Sequence, residues 1–314
     1  MGTAEILTSL IKTFIIIIPG YILTRMGIMK KDHTESISSL ITCVTYPCLV
    51  IDAMQTEFSA ETMNNCKYLV LIFLCLIVLL LILSRLVTGL VNLPTSKSGI
   101  FSFMLIFGNT GFIGVPVLGG LFGAEALLYG SLCDSLFDIF MFTIGVTLIR
   151  QAAADGRKAS VKETLKSVFN PCLIGVIIGL TFYITGFTLP EIIGDPVSTI
   201  GSLTSPLAMI VVGAHLASIR FRELFSDAYS YLVGLMKLII TPLIALLLVK
   251  LTIGTGSVLS EVIVIQAAMP VAMCSVIFSE EYHADASFAA RGTLLTTLCC
   301  IITVPLFALL LQYV

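Results

Sequence analysis

Long apolar runs, separated by short polar or Gly/Pro-rich stretches, follow one another along almost the whole chain. A membrane-spanning helix needs about 20 mostly apolar residues, and runs of that kind predict about ten transmembrane helices in two groups of five. Their approximate ranges are 6–28, 36–55, 68–91, 98–121, 124–149, 170–189, 197–218, 229–252, 260–279 and 287–313.

The composition agrees with this pattern. Hydrophobic residues make up 57% of the 314 residues and charged residues only 11%, with a mean hydropathy of +1.07, whereas a soluble domain carries about 25% charged residues. No water-soluble core could bury so much apolar surface. The sequence therefore predicts an all-α integral membrane protein whose surroundings are the lipid bilayer, and we expect no nucleic-acid partner.

Positive charges follow alternate spans. The region 150–167 is the one strongly polar linker, and it separates a first five-helix group, 1–149, from a second, 168–314. Loops after the even-numbered spans carry only Lys67 and Lys250. By the positive-inside rule, both termini of this multi-pass cell-membrane protein face away from the cytoplasm. The cations after odd-numbered spans are Arg25, Lys30, Lys31, Arg85, Lys97, Arg150, Arg157, Lys158, Lys162, Lys166, Arg220, Arg222 and Arg291.

The two groups of five show signs of an internal repeat. Because five is an odd number, two such groups in one chain lie inverted in the membrane relative to each other, as in many secondary transporters. Two short motifs recur at nearly the same separation. They pair Thr45-Tyr46-Pro47 with Thr204-Ser205-Pro206, and Val115-Pro116-Val117 with Met269-Pro270-Val271.

Spans four and nine contain residues that interrupt a helix. Proline removes a backbone donor and clashes with the preceding turn, and unwound backbone at membrane depth must be buried in protein or line a watered cavity. If both helices break and cross, their half-helix N-termini offer N–H groups to an anion; the alternative is two kinked helices with no ligand between them. The predicted substrate-binding residues are Asn109, Thr110, Gly111, Pro116, Gln266, Met269, Pro270 and Val271.

Two carboxylates are predicted on one face of the fifth span. Asp134 and Asp138 are four residues apart, with Ser131 nearby. Acids within the membrane face a cavity, pair with a partner or relay protons, so these three residues are candidates for ion coupling. The alternative is a structural hydrogen bond from Asp134 to the backbone of a broken helix.

Other reactive side chains receive simpler interpretations. Lys237 lies early in the eighth span, where it is expected to extend its ammonium group to the interface, pairing with an acid being the alternative. The nine cysteines have no metal-ligand spacing and are interpreted as packing residues. We expect no metal site.

Several motifs together resemble the auxin efflux carrier family, which includes plant auxin transporters and shorter prokaryotic carriers. They are Asn109-Thr110 followed by Gly114-Val115-Pro116-Val117-Leu118, then Phe278-Ser279-Glu280-Glu281-Tyr282, and Pro305 in the last span.

The resemblance implies ten helices in two inverted repeats with crossover helices four and nine, like the fold of sodium/proton antiporters. It also implies a homodimeric elevator-type carrier, with helices 1, 2, 6 and 7 as scaffold and helices 3–5 and 8–10 as the transport domain. On the scaffold side of the site we expect Thr45, Tyr46, Pro47, Thr204, Ser205 and Pro206. The chain lacks the long central loop of the plant members, so a dicarboxylate is favoured over an auxin-like carboxylate as substrate.

Three functional classes remain open. The leading one is a secondary active transporter of a small organic anion that uses no cofactor and is driven by H⁺ or Na⁺. An intramembrane ligand sensor without transport is the second. An intramembrane aspartyl enzyme is the third, but the chain has no HExxH or GxSxG motif and its two aspartates lie on one helix, so we expect no enzymatic activity.

Overall fold

A computed structural model of the chain describes residues 3–56, 58–153, 171–217 and 227–314. Within these residues the secondary structure is helical throughout, apart from turns, loops and one isolated antiparallel β-bridge between Gly108 and Val271. The predicted all-α membrane fold is confirmed at this level. Most of the polar linker, residues 154–167, and the cations Arg220 and Arg222 lie outside the described residues.

Nine α-helices are described before the linker. They are α1 (Thr3–Ile15), α2 (Ile17–Arg25), α3 (Lys31–Leu40), α4 (Tyr46–Ala53), α5 (Ala60–Leu90), α6 (Thr95–Ile106), α7 (Val115–Phe122), α8 (Ala124–Phe140) and α9 (Val146–Ala152).

Eight more are described after it. They are α10 (Pro171–Thr185), α11 (Glu191–Ser202), α12 (Thr204–Ala217), α13 (Ala228–Leu235), α14 (Thr241–Thr252), α15 (Val258–Ala267), α16 (Cys274–Glu281) and α17 (Ala286–Leu310).

Six helical stretches among the described residues are long and apolar enough to cross a membrane. Three shorter apolar stretches, Thr110–Phe122, Pro171–Thr185 and Val258–Ala267, lie in the fourth, sixth and ninth predicted spans. The first predicted span is occupied by α1 and α2. The chain is therefore a multi-pass membrane protein, while the full count of ten spans stays a prediction. The six long stretches are Lys31–Ala53, Ala60–Leu90, Ala124–Ala152, Glu191–Ala217, Ala228–Thr252 and Ala286–Leu310.

Among the described residues, four π-helical segments widen the helices, and three of them have the same cause. In each of those three, a proline follows two residues after the segment: Pro47, Pro116 and Pro242. A proline ring clashes with the carbonyl four residues earlier, and that carbonyl lies in the middle of the widened turn, which relieves the clash. The four segments are Ile41–Thr45, Thr110–Gly114, Met141–Gly145 and Met236–Ile240.

The chain forms two compact units. Unit 1 comprises residues 1–68, 111–135 and 169–219. In its interior α2 and α12 pack backbone to backbone. The approach is so close that a Cβ added to Gly20 would overlap the Ile210 carbonyl, and a Cβ added to Gly213 would overlap the Ile17 carbonyl.

The GxxxG stretch of α10 also packs inside unit 1. Gly175 lies against Pro47 in the first turn of α4, and Gly179 lies against Met54, which directly follows α4. Small residues allow such close approach of helices. These two glycines therefore serve a helix contact within the chain.

Unit 2 comprises residues 69–110, 136–168 and 220–314. Here α6 packs closely on α9 at Gly99, which faces the Leu148 carbonyl, and α17 approaches α6 where Gly292 faces the Met104 sulfur. Aromatic side chains fill the space around α6, with ring centroids of Phe103 and Phe107 5.0 Å apart. The unwound part of the fourth predicted span is held within this packed unit.

Candidate functional site

Two unwound segments pair with each other in unit 2. Helix α6 ends at Ile106 and the chain continues extended, with φ −94° and ψ 118° at Phe107. The Asn109 N–H donates to the Pro270 carbonyl at 2.7 Å, and the Ala272 N–H donates to the Phe107 carbonyl at 3.1 Å. The interruptions predicted in spans four and nine are thus both present, and the two segments run antiparallel through the bridge between Gly108 and Val271.

The local sequence explains why these segments leave the helix. Pro270 has no N–H to donate and disfavours helical backbone at Met269. The backbone groups freed in this way need partners at membrane depth. Pairing forms two hydrogen bonds between the segments. Thr296 on α17 forms a third, because its Oγ1 accepts the Val271 N–H at 3.1 Å.

The side chains of the pairing region are buried. Asn109 is 5% exposed and Gln266, in the last turn of α15, is 1% exposed. The Asn109 Nδ2 has no hydrogen-bond partner among the described residues. A buried donor without an acceptor costs about 1–3 kcal/mol. A ligand oxygen that accepts a hydrogen bond from Asn109 Nδ2 would remove this cost, and its binding would be favoured.

Lys237 is the residue that the sequence analysis placed wrongly. Its side chain is fully buried, at 0% exposure, and it does not extend to the interface. Its Nζ donates to the carbonyls of Leu105 at 3.2 Å and Ile106 at 3.3 Å, the last two of α6. The prediction failed because Lys237 lies about 14 Å along the helical stretch Ala228–Thr252, at 1.5 Å per residue. At that depth a lysine side chain does not reach the headgroups.

A second polar centre lies in unit 1. The Tyr46 hydroxyl donates to Asp134 Oδ2 at 2.6 Å, and both residues are buried, at 3% and 7% exposure. The same carboxylate faces Gly111, where an added Cβ would lie 3.0 Å from Oδ2. The glycine leaves room for Asp134 beside the start of the widened turn before α7.

Seven other predicted site residues also belong to unit 1. Thr45 directly precedes Tyr46, and Ser131 lies three residues before Asp134; both are buried, as are Thr204 and Pro116. Pro47, Ser205 and Pro206 are half-buried. Their part in a site stays a prediction.

The remaining candidates divide between the units. Asp138, half-buried, lies one turn after Asp134 on α8 but belongs to unit 2, as do Thr110, Met269 and Val271. Within the described ranges, no group of three His, Cys, Asp or Glu side chains could hold a metal ion.

Sequence reasoning missed two contributors to the pairing region. Lys237 could have been found from its depth within an apolar run, and Thr296 from the polar cluster Thr293, Thr296 and Thr297 in an otherwise apolar last span. Nothing in the sequence indicates which of these threonines meets Val271. That contact is set by the rotation of α17.

Six long apolar helical stretches among the described residues, together with two shorter spans that are unwound and paired around buried polar groups, define a polytopic membrane protein of the transporter class. The chain belongs to the auxin efflux carrier family: the family model described as "Membrane transport protein" matches residues 5–308.

Individual relatives agree with the family assignment. The chain is 26% identical over 302 residues to an uncharacterized transporter of Methanocaldococcus jannaschii, covering 95% of this chain and 96% of the relative. It is 31% identical over 123 residues to a probable auxin efflux carrier component of Oryza sativa subsp. japonica, covering 39% of this chain and 28% of the relative. An uncharacterized transporter of Escherichia coli K12 is 23% identical over 201 residues, covering 63% of each chain.

Proposed function

We propose that this chain is a secondary active transporter of a small organic anion, and not an enzyme, with its substrate site at the paired segments of the fourth and ninth predicted spans. The observation that carries the proposal is the antiparallel pairing of Phe107–Asn109 with Pro270–Ala272 at buried positions. Paired broken helices mark the substrate site in many transporters, because half-helix termini direct partial charges at one small volume.

The substrate is proposed to be a carboxylate, most simply a dicarboxylate. The buried Asn109 Nδ2 donor, which has no partner among the described residues, matches a carboxylate oxygen as acceptor. Thr110 and Gln266 add further polar groups beside the unwound backbone. Hydrogen bonds to a charged acceptor contribute about 1.5–3 kcal/mol each, which suits a small anion with few contacts.

The coupling ion is proposed to be a proton carried by Asp134. A buried carboxylate is costly when ionised and unpaired, so a proton or cation that neutralises it can be linked to the state of the carrier. The Tyr46 hydroxyl gives this carboxylate a fixed hydrogen bond at 2.6 Å. Sodium held by oxygen ligands is the competing choice.

The remaining features of the proposal come from the apolar runs, the loop charges and the internal repeat, and, for the homodimer and the elevator-type movement, from the family resemblance. We propose ten spans in two inverted repeats, a homodimer in the cell membrane with both termini outside the cytoplasm, and elevator-type movement. No cofactor takes part.

Exchange across a membrane separates a carrier from a sensor. Purified protein in liposomes loaded with unlabelled malate should take up labelled malate in exchange, and malonate or succinate should compete better than indole-acetate. Exchange of indole-acetate alone would shift the substrate class to auxin-like carboxylates. Measurable ligand binding without any exchange would contradict the proposed transport and favour the sensor.

Asn109→Ala tests the site. We expect substrate affinity to fall at least about tenfold, because a hydrogen bond to a charged group is lost. Asn64→Ala, at an exposed asparagine of α5, is the control and should leave affinity unchanged. Normal affinity in a folded Asn109→Ala protein would move the site away from the paired segments.

A further inference from the structure

We propose that the Lys237 ammonium group is a built-in cation that holds the carbonyl end of the broken helix α6, so that the paired segments need no sodium ion there. The inference rests on the proposed transport function, which it extends to the ion requirement of the site. Lys237 is a positioning residue in this proposal, since it acts on substrate through the backbone that it fixes.

The contacts of Nζ are those of a cation at a helix C-terminus. The last carbonyls of a helix have no intrahelical partner and carry the negative end of the helix dipole. In α6 two of them, Leu105 O and Ile106 O, accept from Nζ at 3.2 and 3.3 Å. The unwound segment begins at the next residue, so the ammonium group lies where the helix is broken.

The surroundings leave room for the ammonium group. Gly108 lies beside it, and an added Cβ there would be 3.3 Å from Nζ and 3.4 Å from Met269 Cβ. Among the described residues, no carboxylate lies within ion-pair distance of Nζ. The positive charge is therefore balanced by carbonyl dipoles, which are the ligands that a hard cation such as Na⁺ also takes.

The helix that carries Lys237 is shaped to present it. Lys237 lies in the π-helical segment Met236–Ile240, which precedes Pro242, and Thr241 Oγ1 donates to the Met236 carbonyl at 3.0 Å. A widened turn adds a residue and rotates the following face of the helix, and such turns are frequent at functional sites. The position of the ammonium group thus depends on backbone geometry that Pro242 sets.

The test removes the Lys237 side chain by substitution and then supplies an ammonium group as a small molecule in solution. Malate exchange by the wild type should be equal in sodium, potassium and choline buffers. Lys237→Ala should lower exchange at least about tenfold, and propylammonium, which matches the atoms removed, should restore several-fold activity, whereas 1-propanol should not. Lys250→Ala, at an exposed lysine on α14, should behave as wild type.

Thermal unfolding gives a readout that does not need transport. Propylammonium should raise the unfolding midpoint of Lys237→Ala but not of Lys237→Met, whose side chain fills the space. Sodium-dependent exchange by the wild type, normal exchange by Lys237→Ala, or a folded Lys237→Ala protein that propylammonium neither reactivates nor stabilises would overturn the inference. Absence of exchange in the wild type would instead contradict the proposed function, and the stabilisation by propylammonium would still decide the role of Lys237.

Discussion

The hydrogen bond between Tyr46 and Asp134 joins two residues that are 88 positions apart in the chain. A carboxylate buried to 7% exposure on a transmembrane helix requires a partner, and the tyrosine hydroxyl provides one at 2.6 Å. The sequence indicated Asp134 because acids are rare at this depth. It did not indicate Tyr46 as its partner, since that contact depends on how α4 and α8 pack.

Asp134→Asn should separate coupling from substrate exchange. The amide keeps the shape of the side chain but cannot gain or lose a proton. We therefore expect exchange of labelled malate to persist, while accumulation driven by a pH gradient is lost. Asp52→Asn is the matched control, because Asp52 is also hydrogen bonded to a hydroxyl, that of Ser198 at 3.1 Å, and should retain accumulation. Accumulation by folded Asp134→Asn equal to that of the wild type would contradict the role given to Asp134.

A charge cluster around Asp227, which directly precedes the stretch Ala228–Thr252, makes stability depend on pH. Asp227 lies 2.7 Å from Lys97 Nζ and 3.6 Å from Arg291. Burial raises the pKa of the Asp227 carboxyl, but the hydrogen bonds from Lys97 and the Tyr229 N–H and the two positive charges together lower the pKa below its ordinary value. The folded state is therefore stabilised above the unfolded pKa of about 3.9, and this contribution is lost as the pH falls through the lowered pKa.

Asp227→Asn measures that contribution. The thermal unfolding midpoint of the wild type should exceed that of Asp227→Asn by a constant margin from pH 7 to about 5, and the margin should shrink below about pH 4. Glu35→Gln removes an exposed pair with Lys31 at 3.8 Å and should change the midpoint little at any pH. A margin for Asp227→Asn that stays constant down to pH 3 would contradict the assigned pKa.

At the scale of elements, the prolines determine where the helices widen. The sequence predicted a break at Pro116 from the neighbouring Gly and polar residues, and the structure has a π-helical turn and extended backbone there. It did not predict the widened turns before Pro47 and Pro242, where no Gly lies in the turn to mark a break. Proline alone leaves several backbone responses open, and packing selects among them.

Helix contacts at glycine predict the cost of added side chains. Gly20→Ala and Gly213→Ala should each destabilise the protein by about 1–3 kcal/mol or more, because the new Cβ would overlap a backbone carbonyl of the partner helix. Gly89→Ala, where an added Cβ has no neighbour within 4 Å, should be neutral or stabilising by up to about 1 kcal/mol.

Thermal unfolding in detergent checks these three variants. If Gly20→Ala and Gly213→Ala unfold at the wild-type temperature, the close packing of α2 on α12 would be wrong. A loss of stability in Gly89→Ala as large as in the other two would show that the effect is not specific to the contact.

At the scale of the whole molecule, composition alone was enough for the membrane class. Composition does not predict which distant residues meet. Three contacts of this kind join segments more than 20 positions apart: the pairing of Gly108 with Val271, the hydrogen bonds from Lys237 to the carbonyls of α6, and the hydrogen bond from Val271 to Thr296. Unit 1 contains the predicted spans one, two, six and seven, together with residues 111–135 from spans four and five. The scaffold and transport roles that the resemblance assigns to the spans stay predictions.

Gradient-driven accumulation tests the central claim most directly. Proteoliposomes with labelled malate outside should concentrate it inside under an imposed proton gradient, in sodium-free buffer, and a proton ionophore should abolish the accumulation. Protein-free liposomes exposed to the same gradient are the control. If malate and its competitors never exceed equilibrium under a proton or a sodium gradient, although the protein is folded and binds them, the chain is not a coupled carrier of these anions.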